Sequence, residues 1–201
     1  MASEDLPANG HGGPADPKPD PKPALRRRLR AERAAFVASL TSLDRAGFEA
    51  ALAKVLAANL PRGIVAGYHA VGSEIGLGQA VIALHPRVVR DGPLTFHTGP
   101  VTAMKAVAGL GTIAEPPATA PRGTPDIVLV PLLAIDRCGT RLGQGGGHYD
   151  RTLAALRAAG PVLAVGVAWD CQLVDVLPAD PWDAPLDALA TPSGWRDFTR
   201  T

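Results

Sequence analysis

The first apolar stripe along the chain starts at Leu25. Leu25, Leu29, Phe36 and Leu40 fall within about 60° of one another at 100° per residue, which is one face of a helix. Lys22, Arg26, Arg30 and Arg33 fall within about 80° of one another on its flank. Pro21 suits a first turn and Asp20 can cap it. A second helix is predicted after Ser42, with Phe48, Leu52, Val55 and Leu56 on one face and Pro61 as its stop. The period then changes. Ile64 to Tyr68, Ile127 to Pro131 and Val162 to Ala168 are short runs with no polar alternation, and Leu186 to Thr191 is a fourth candidate. Strands of this kind are buried on both faces, as in parallel sheets covered by helices. Helices are expected from about Glu74 to Leu84 and from Tyr149 to Ala159. Val88–Val89 and Leu94–His97 are weaker strand candidates. Gly99 to Thr124, rich in Gly, Pro, Ala and Thr, is expected to be mostly loop. The predicted class is α/β: a single open, mostly parallel sheet with helices on both faces.

Residues 1–21 carry almost nothing that can enter a core and read as a disordered tail. Residues 22–201 then form one domain, large enough to bury a core without staples. The net charge of +1 and the 4% aromatic content argue against a nucleic-acid or anionic-membrane partner. Cys138 and Cys171 form no C-x-x-C pair, so neither a disulfide framework nor a zinc site is expected. No apolar run reaches the ~18 residues of a membrane span, and no secretory pattern opens the chain. A cytoplasmic protein is the expectation.

Ligands on open α/β sheets sit beyond the carboxyl ends of the strands. That draws attention to the loops after Tyr68, Pro131 and Trp169. The segment Arg141-Leu142-Gly143-Gln144-Gly145-Gly146-Gly147-His148-Tyr149-Asp150 has four glycines in five positions and leads into a helix. Uncovered backbone N–H groups and a helix N-terminus make an anion site suited to phosphate. Arg141 could grip phosphate oxygens from two sides. It is not a Walker A loop, since no Gly-Lys-Ser/Thr follows, and it is a poor dinucleotide fingerprint. On spacing alone it reads equally as an unliganded flexible loop. Read alone, Asp150 is a helix-start carboxylate, Asp183 a turn residue, and Lys22 and Arg26 a solvated basic face.

The stretch from Val130 to Leu153 resembles the signature of the 5-formyltetrahydrofolate cyclo-ligase family. Lys22-Pro23-Ala24-Leu25-Arg26, Gly67 to Ile75, a turn at Gly111 to Pro116, and Asp183 to Asp187 with Ala190-Thr191-Pro192 are similar to further family segments. The resemblance covers about residues 22–198. It implies an enzyme in which ATP phosphorylates the formyl oxygen on N5 of 5-formyltetrahydrofolate. N10 then attacks the activated carbon to give 5,10-methenyltetrahydrofolate, ADP and phosphate. It further implies that Lys22, Arg26 and the run Arg141, Leu142, Gly143, Gln144, Gly145, Gly146, Gly147, His148 and Tyr149 cradle ATP. Arg141 and Tyr149 take the catalytic roles. His69, Glu74 and the Gln144–His148 stretch face the folate, and Asp150 and Asp183 hold Mg²⁺. Gln144 and His148 stand where many members carry aromatic or basic residues, so folate affinity is where this chain is expected to differ. Trp169 and Trp182 are expected near the site, and Cys138 is read as an inert neighbour. A monomer is expected. Two alternatives remain: a non-catalytic nucleotide- or folate-binding relative, and a sugar-phosphate isomerase or acyl-CoA transferase on a related sheet, which would need no ATP.

Overall fold

A computed structural model of the chain describes residues 20–80, 82–107 and 111–198. The tail expected at residues 1–21 lies outside them up to residue 19. In chain order the elements are α1 (Lys22–Ala38), α2 (Ser42–Asn59), β1 (Val65–Ala66), β2 (His85–Arg87), β3 (Thr95–His97), β4 (Ala103–Val107), β5 (Gly111–Glu115), β6 (Arg122–Gly123), β7 (Ile127–Pro131), β8 (Ala134–Ile135), β9 (Arg141–Leu142), α3 (His148–Ala159), β10 (Leu163–Val167), β11 (Ala188–Thr191) and β12 (Gly194–Asp197). Thr41 caps α2: its hydroxyl accepts the Asp44 N–H, and the Asp44 carboxylate accepts the Thr41 N–H in return.

The main sheet has five strands in the order β1-β7-β10-β11-β12. The first four are parallel and β12 closes the edge antiparallel to β11. Alternate residues of each strand serve opposite faces. Ile127 and Leu129 join Leu52 and Leu56 of α2 in one apolar cluster, with Val165 and Ala190. Val128 and Val130 join Leu153 of α3 in the other, with Ala164 and Leu189. Helices therefore cover both faces, which is why the strands carry no polar alternation. Leu129 is wholly buried at the centre. Leu129→Ala is expected to cost about 2–5 kcal/mol, read as a lower urea midpoint at unchanged slope.

Three expectations are corrected. The sheet is not single: β2-β3-β6, β4-β5 and β8-β9 form smaller antiparallel sheets. The segment 74–84 contains no helix among its described residues, and Leu84 forms a parallel bridge to Ala66. Glycine opposes helix there, and Gly78 adopts a φ of 56°, where a Cβ would stand only 3.0 Å from the Glu49 carbonyl oxygen. The stretch 99–124 is not mostly loop, because β4 and β5 pair as a hairpin. The segment from Gly111, read as a turn, is strand β5 up to Glu115. Its foot is anchored by Glu115, which is 1% exposed, accepts the Val88 N–H at 2.7 Å and pairs with Arg87 at 3.4 Å. The strand β12 is absent from the sequence reading. β2 lies at His85–Arg87, just ahead of the expected Val88–Val89.

Candidate active site

A cavity of about 720 Å³ opens at the carboxyl end of the main sheet. The loop after β1 brings Tyr68, His69 and Glu74 to its wall, and the loop after β9 brings Gly143 to Gly147. Within that loop Gly145 and Gly147 have φ of 105° and 63°, a region that disfavours side chains. Gly147 caps α3 without a side chain. The first helical bond of α3 runs from the Arg151 N–H to the Gly147 carbonyl. The N–H groups of His148, Tyr149 and Asp150 thus have no partner inside the helix. They form an anion-favouring helix start at the cavity wall.

The basic flank of α1 is not a solvated face. Lys22 is 5% exposed, and its ammonium lies 2.6 Å from Asp180 Oδ2 and 2.5 Å from Asp183 Oδ2. Arg26 donates from Nε to the Gly143 carbonyl (3.1 Å) and lies along Gly145. Arg30 donates from Nη2 to Gln144 Oε1 (2.8 Å), and Arg33 from Nη1 to the Leu132 carbonyl (3.0 Å). Four residues at helical spacing thus stitch α1 to three loops. The apolar stripe docks beneath them: Leu29 is buried with Leu142, and Phe36 packs edge-on against Trp169.

Arg141 is already engaged by protein. It donates from Nη2 to Asp150 Oδ1 (2.7 Å) and from Nη1 to the Ala184 carbonyl (2.5 Å). Asp150 Oδ1 also accepts the Ala184 N–H at 3.0 Å. Arg141, expected to grip phosphate from two sides, thus has both terminal nitrogens on protein, and its fork clamps the 184 backbone to α3. The same clamp carries Asp183 to Asp150, from far apart in sequence to the same cavity wall. The Arg141 and Ala184 bonds to Asp150 share Oδ1, and the Lys22 and Asp180 bonds to Asp183 share Oδ2. Among the described residues no group of three or more His, Cys, Asp or Glu could hold a metal unaided. A pair of carboxylates suits Mg²⁺, which keeps waters and takes phosphate oxygens beside one or two protein ligands.

Burial works against the Lys22 charge, but the hydrogen bonds and charges of Asp180 and Asp183 outweigh it and hold its pKa above the ordinary lysine value. Burial likewise opposes the Asp183 charge, while the Asp180 N–H and Lys22 hold its pKa below the ordinary value. The lysine contribution to stability is complete below its unfolded pKa and is lost as pH rises through the folded one. The aspartate contribution is complete above its unfolded pKa and is lost as pH falls through the folded one. The stability difference between wild type and Lys22→Met should therefore be flat from about pH 5 to pH 9 and shrink at both extremes. Urea titrations across pH measure it, and a difference that varies inside that window would contradict the pairing.

The residues expected to face the folate line the same cavity. Glu74 is 6% exposed; burial pushes its carboxyl up, partly countered by the Val71 N–H at 3.0 Å. Gln144 reaches it from Nε2 at 3.5 Å. Tyr149 is half-buried, and burial followed by the Glu74 charge pushes its phenol up. His148 Nδ1 lies 3.3 Å from Arg151 Nη2. His69 Nε2 lies 3.2 Å from His85 Nδ1, and burial, then His85, lowers its pKa. Leu142 is buried at the cavity wall, its carbonyl accepting the Leu133 N–H. Trp182 lines the cavity. Trp169 does not: it is 1% exposed and donates its indole N–H to the Ser73 carbonyl. Cys138 and Cys171 are free thiols. Sequence reasoning missed Asp180, Arg30 and His85. Asp180 stands three residues before Asp183 in a turn between prolines, a spacing that could have marked it; His85 had no signal.

The model of the 5-formyltetrahydrofolate cyclo-ligase family matches residues 19–192. The chain belongs to that family. It is 52% identical to the Escherichia coli K12 5-formyltetrahydrofolate cyclo-ligase over 68 residues, 34% of this chain and 37% of the relative. That match therefore spans little more than a third of the relative's length. The Mycolicibacterium smegmatis cyclo-ligase is 39% identical over 145 residues, covering 64% of this chain and 73% of the relative. Among solved structures, the Aquifex aeolicus 5,10-methenyltetrahydrofolate synthetase aligns with a TM-score of 0.68 and 27% identity, covering 90% of this chain and 95% of that one. A Mycoplasma pneumoniae synthetase shares the fold at a TM-score of 0.63 and 23% identity, covering 85% and 98%. Among the described residues no helix is long and apolar enough to cross a membrane.

Proposed function

We propose that this chain is an ATP- and Mg²⁺-dependent ligase that closes 5-formyltetrahydrofolate to 5,10-methenyltetrahydrofolate, acting in the cytoplasm as a monomer. The observation that carries the reading is the convergence of the α3 N-terminus, the Gly143–Gly147 loop, Asp150 and Asp183 on one cavity. Membership of the family supports the choice of substrate. No residue need act as a covalent nucleophile; the chain has to position two substrates and neutralise charge on the moving phosphoryl group. The N–H groups of Gly145 to His148 and Arg26 hold the phosphates. Lys22, held on Asp180 and Asp183, adds its positive charge beside them at the same wall, and Asp183 with Asp150 would hold the metal. Mg²⁺ bound there would neutralise the phosphate oxygens. Arg141 fixes Asp150 and the backbone at Ala184, and Tyr149 lies at the turn where the two substrates meet. Glu74, buried, accepts hydrogen bonds from the pterin-like ring, with His69, Gln144 and His148 beside it.

The test is incubation with 5-formyltetrahydrofolate and Mg-ATP, following near-ultraviolet absorbance of the methenyl product together with ADP. One ADP per product is expected. Product without ATP, or ADP without product, would sink the reading, and binding of both ligands with neither product nor ADP would favour a non-catalytic relative. Gln144 and His148 belong to the folate side. His148→Tyr is therefore expected to shift the folate KM and leave the ATP KM nearly unchanged; steady-state kinetics with each substrate varied decides it. A change chiefly in ATP KM would assign this end of the loop to the nucleotide.

A further inference from the structure

Trp182 is 71% exposed and yet lines the cavity. The other large apolar side chains exposed among the described residues, Leu43, Ile64, Val89, Met104 and Val176, stand away from it. Nor is Trp182 carried on a loose loop. Its turn is closed by the Asp183 N–H on the Asp180 carbonyl (3.0 Å) and by the Asp180 N–H on Asp183 Oδ2 (2.8 Å). Lys22 bonds both carboxylates, and Arg141 and Asp150 grip Ala184 on the far side. The backbone on either side of the indole is thereby pinned to α1 and to α3. A flat, uncharged, water-facing ring thus stands on a fixed backbone at the cavity wall that carries Lys22, Asp180 and Asp183.

A ligand must supply the surface that covers such a ring. The phosphate donors and carboxylates occupy this end, so the part of a nucleotide that follows its phosphates outward is the base. The folate end has its own wall: Glu74 and His69, with Val88, Leu94 and Ile113 as apolar lining. Resting on the ATP reading above, we propose that Trp182 is the stacking platform for the purine base, the residue that makes this site favour a nucleoside polyphosphate over polyphosphate alone. An indole has two π faces and tolerates any base, so the platform supplies affinity for a base rather than selection among bases.

Calorimetric titration of the full chain with ADP and with inorganic tripolyphosphate tests this in wild type, Trp182→Ala and Trp182→Phe. Trp182→Ala is expected to bind ADP roughly tenfold more weakly, Trp182→Phe to keep most of the affinity, and tripolyphosphate to bind all three alike. The KM for 5-formyltetrahydrofolate should not move. Equal ADP affinity in Trp182→Ala overturns the platform alone, as does an equal loss of tripolyphosphate, which would mean a disturbed turn. A raised folate KM with unchanged ADP affinity overturns it in favour of the pterin as occupant. Wild-type protein that binds no ADP overturns the ATP reading itself.

Discussion

Asp150→Asn is expected to lower kcat on the order of 100-fold or more and to raise the Mg²⁺ concentration needed for half-maximal rate. Two losses combine. The amide can no longer offer a full negative charge to a metal, and the buried Arg141 loses the carboxylate it holds at 2.7 Å. Arg141 is 7% exposed, so this second loss also touches folding. Truncating one partner of a hydrogen-bonded charge pair leaves the other to bear its desolvation. Asp183→Asn separates the two effects, because Asp180 remains to hold Lys22 at 2.6 Å. Asp183→Asn should therefore show the Mg²⁺ effect with less loss of thermal stability. Folate affinity should change little in either variant. Rates across a Mg²⁺ titration, beside calorimetric melting, distinguish these outcomes, and two variants with wild-type Mg²⁺ dependence would remove both carboxylates from the metal.

Removing the two cations of α1 should be the other large effect. Lys22→Ala with Arg26→Ala is expected to keep the protein folded, raise the ATP KM and slow turnover. α1 retains its apolar anchors in Leu25, Leu29 and Phe36, together with the Arg33 bond to the Leu132 carbonyl. What it loses is the positive charge that the glycine loop lacks. Asp180 and Asp183 are then left without their ammonium, at a cost of about 1–3 kcal/mol, and they would also repel a triphosphate. Equilibrium binding of ATP and steady-state kinetics measure the effect. Unchanged ATP KM and kcat in the folded double variant would confine these residues to holding the helix in place.

What was legible in the sequence follows from where the physics is local. β7 and α3 are marked by patterns contained in themselves: an unbroken apolar run, and a glycine loop entering an amphipathic helix. The capping and docking face of α2 are equally local. The helix expected at 74–84 fails because its spacing of apolar residues is satisfied by packing against α2 at close quarters, and the glycines that permit the approach do not announce which neighbour will come. The β4–β5 hairpin is invisible for a related reason. β4 carries one β-branched residue, Val107, and the order of the pair depends on Glu115 reaching Arg87 and Val88, distant in sequence. At the site, the loop and the two aspartates are found through family resemblance. Their geometry is not: nothing local says that Arg141 turns to Ala184, or that Lys22 finds Asp180.

The contacts from Lys22 to Asp180 and Asp183 close loops of 158 and 161 residues. They therefore bear on the order in which the molecule is made. A ribosome delivers α1 before the Asp180–Ala184 segment, so the cavity lacks that wall until residue 184 has been added. Closing so long a loop costs only slightly more entropy than closing one half as long. Its consequence is temporal: in a nascent chain that already holds the strands β1, β7 and β10, Lys22 still has neither of its carboxylate partners.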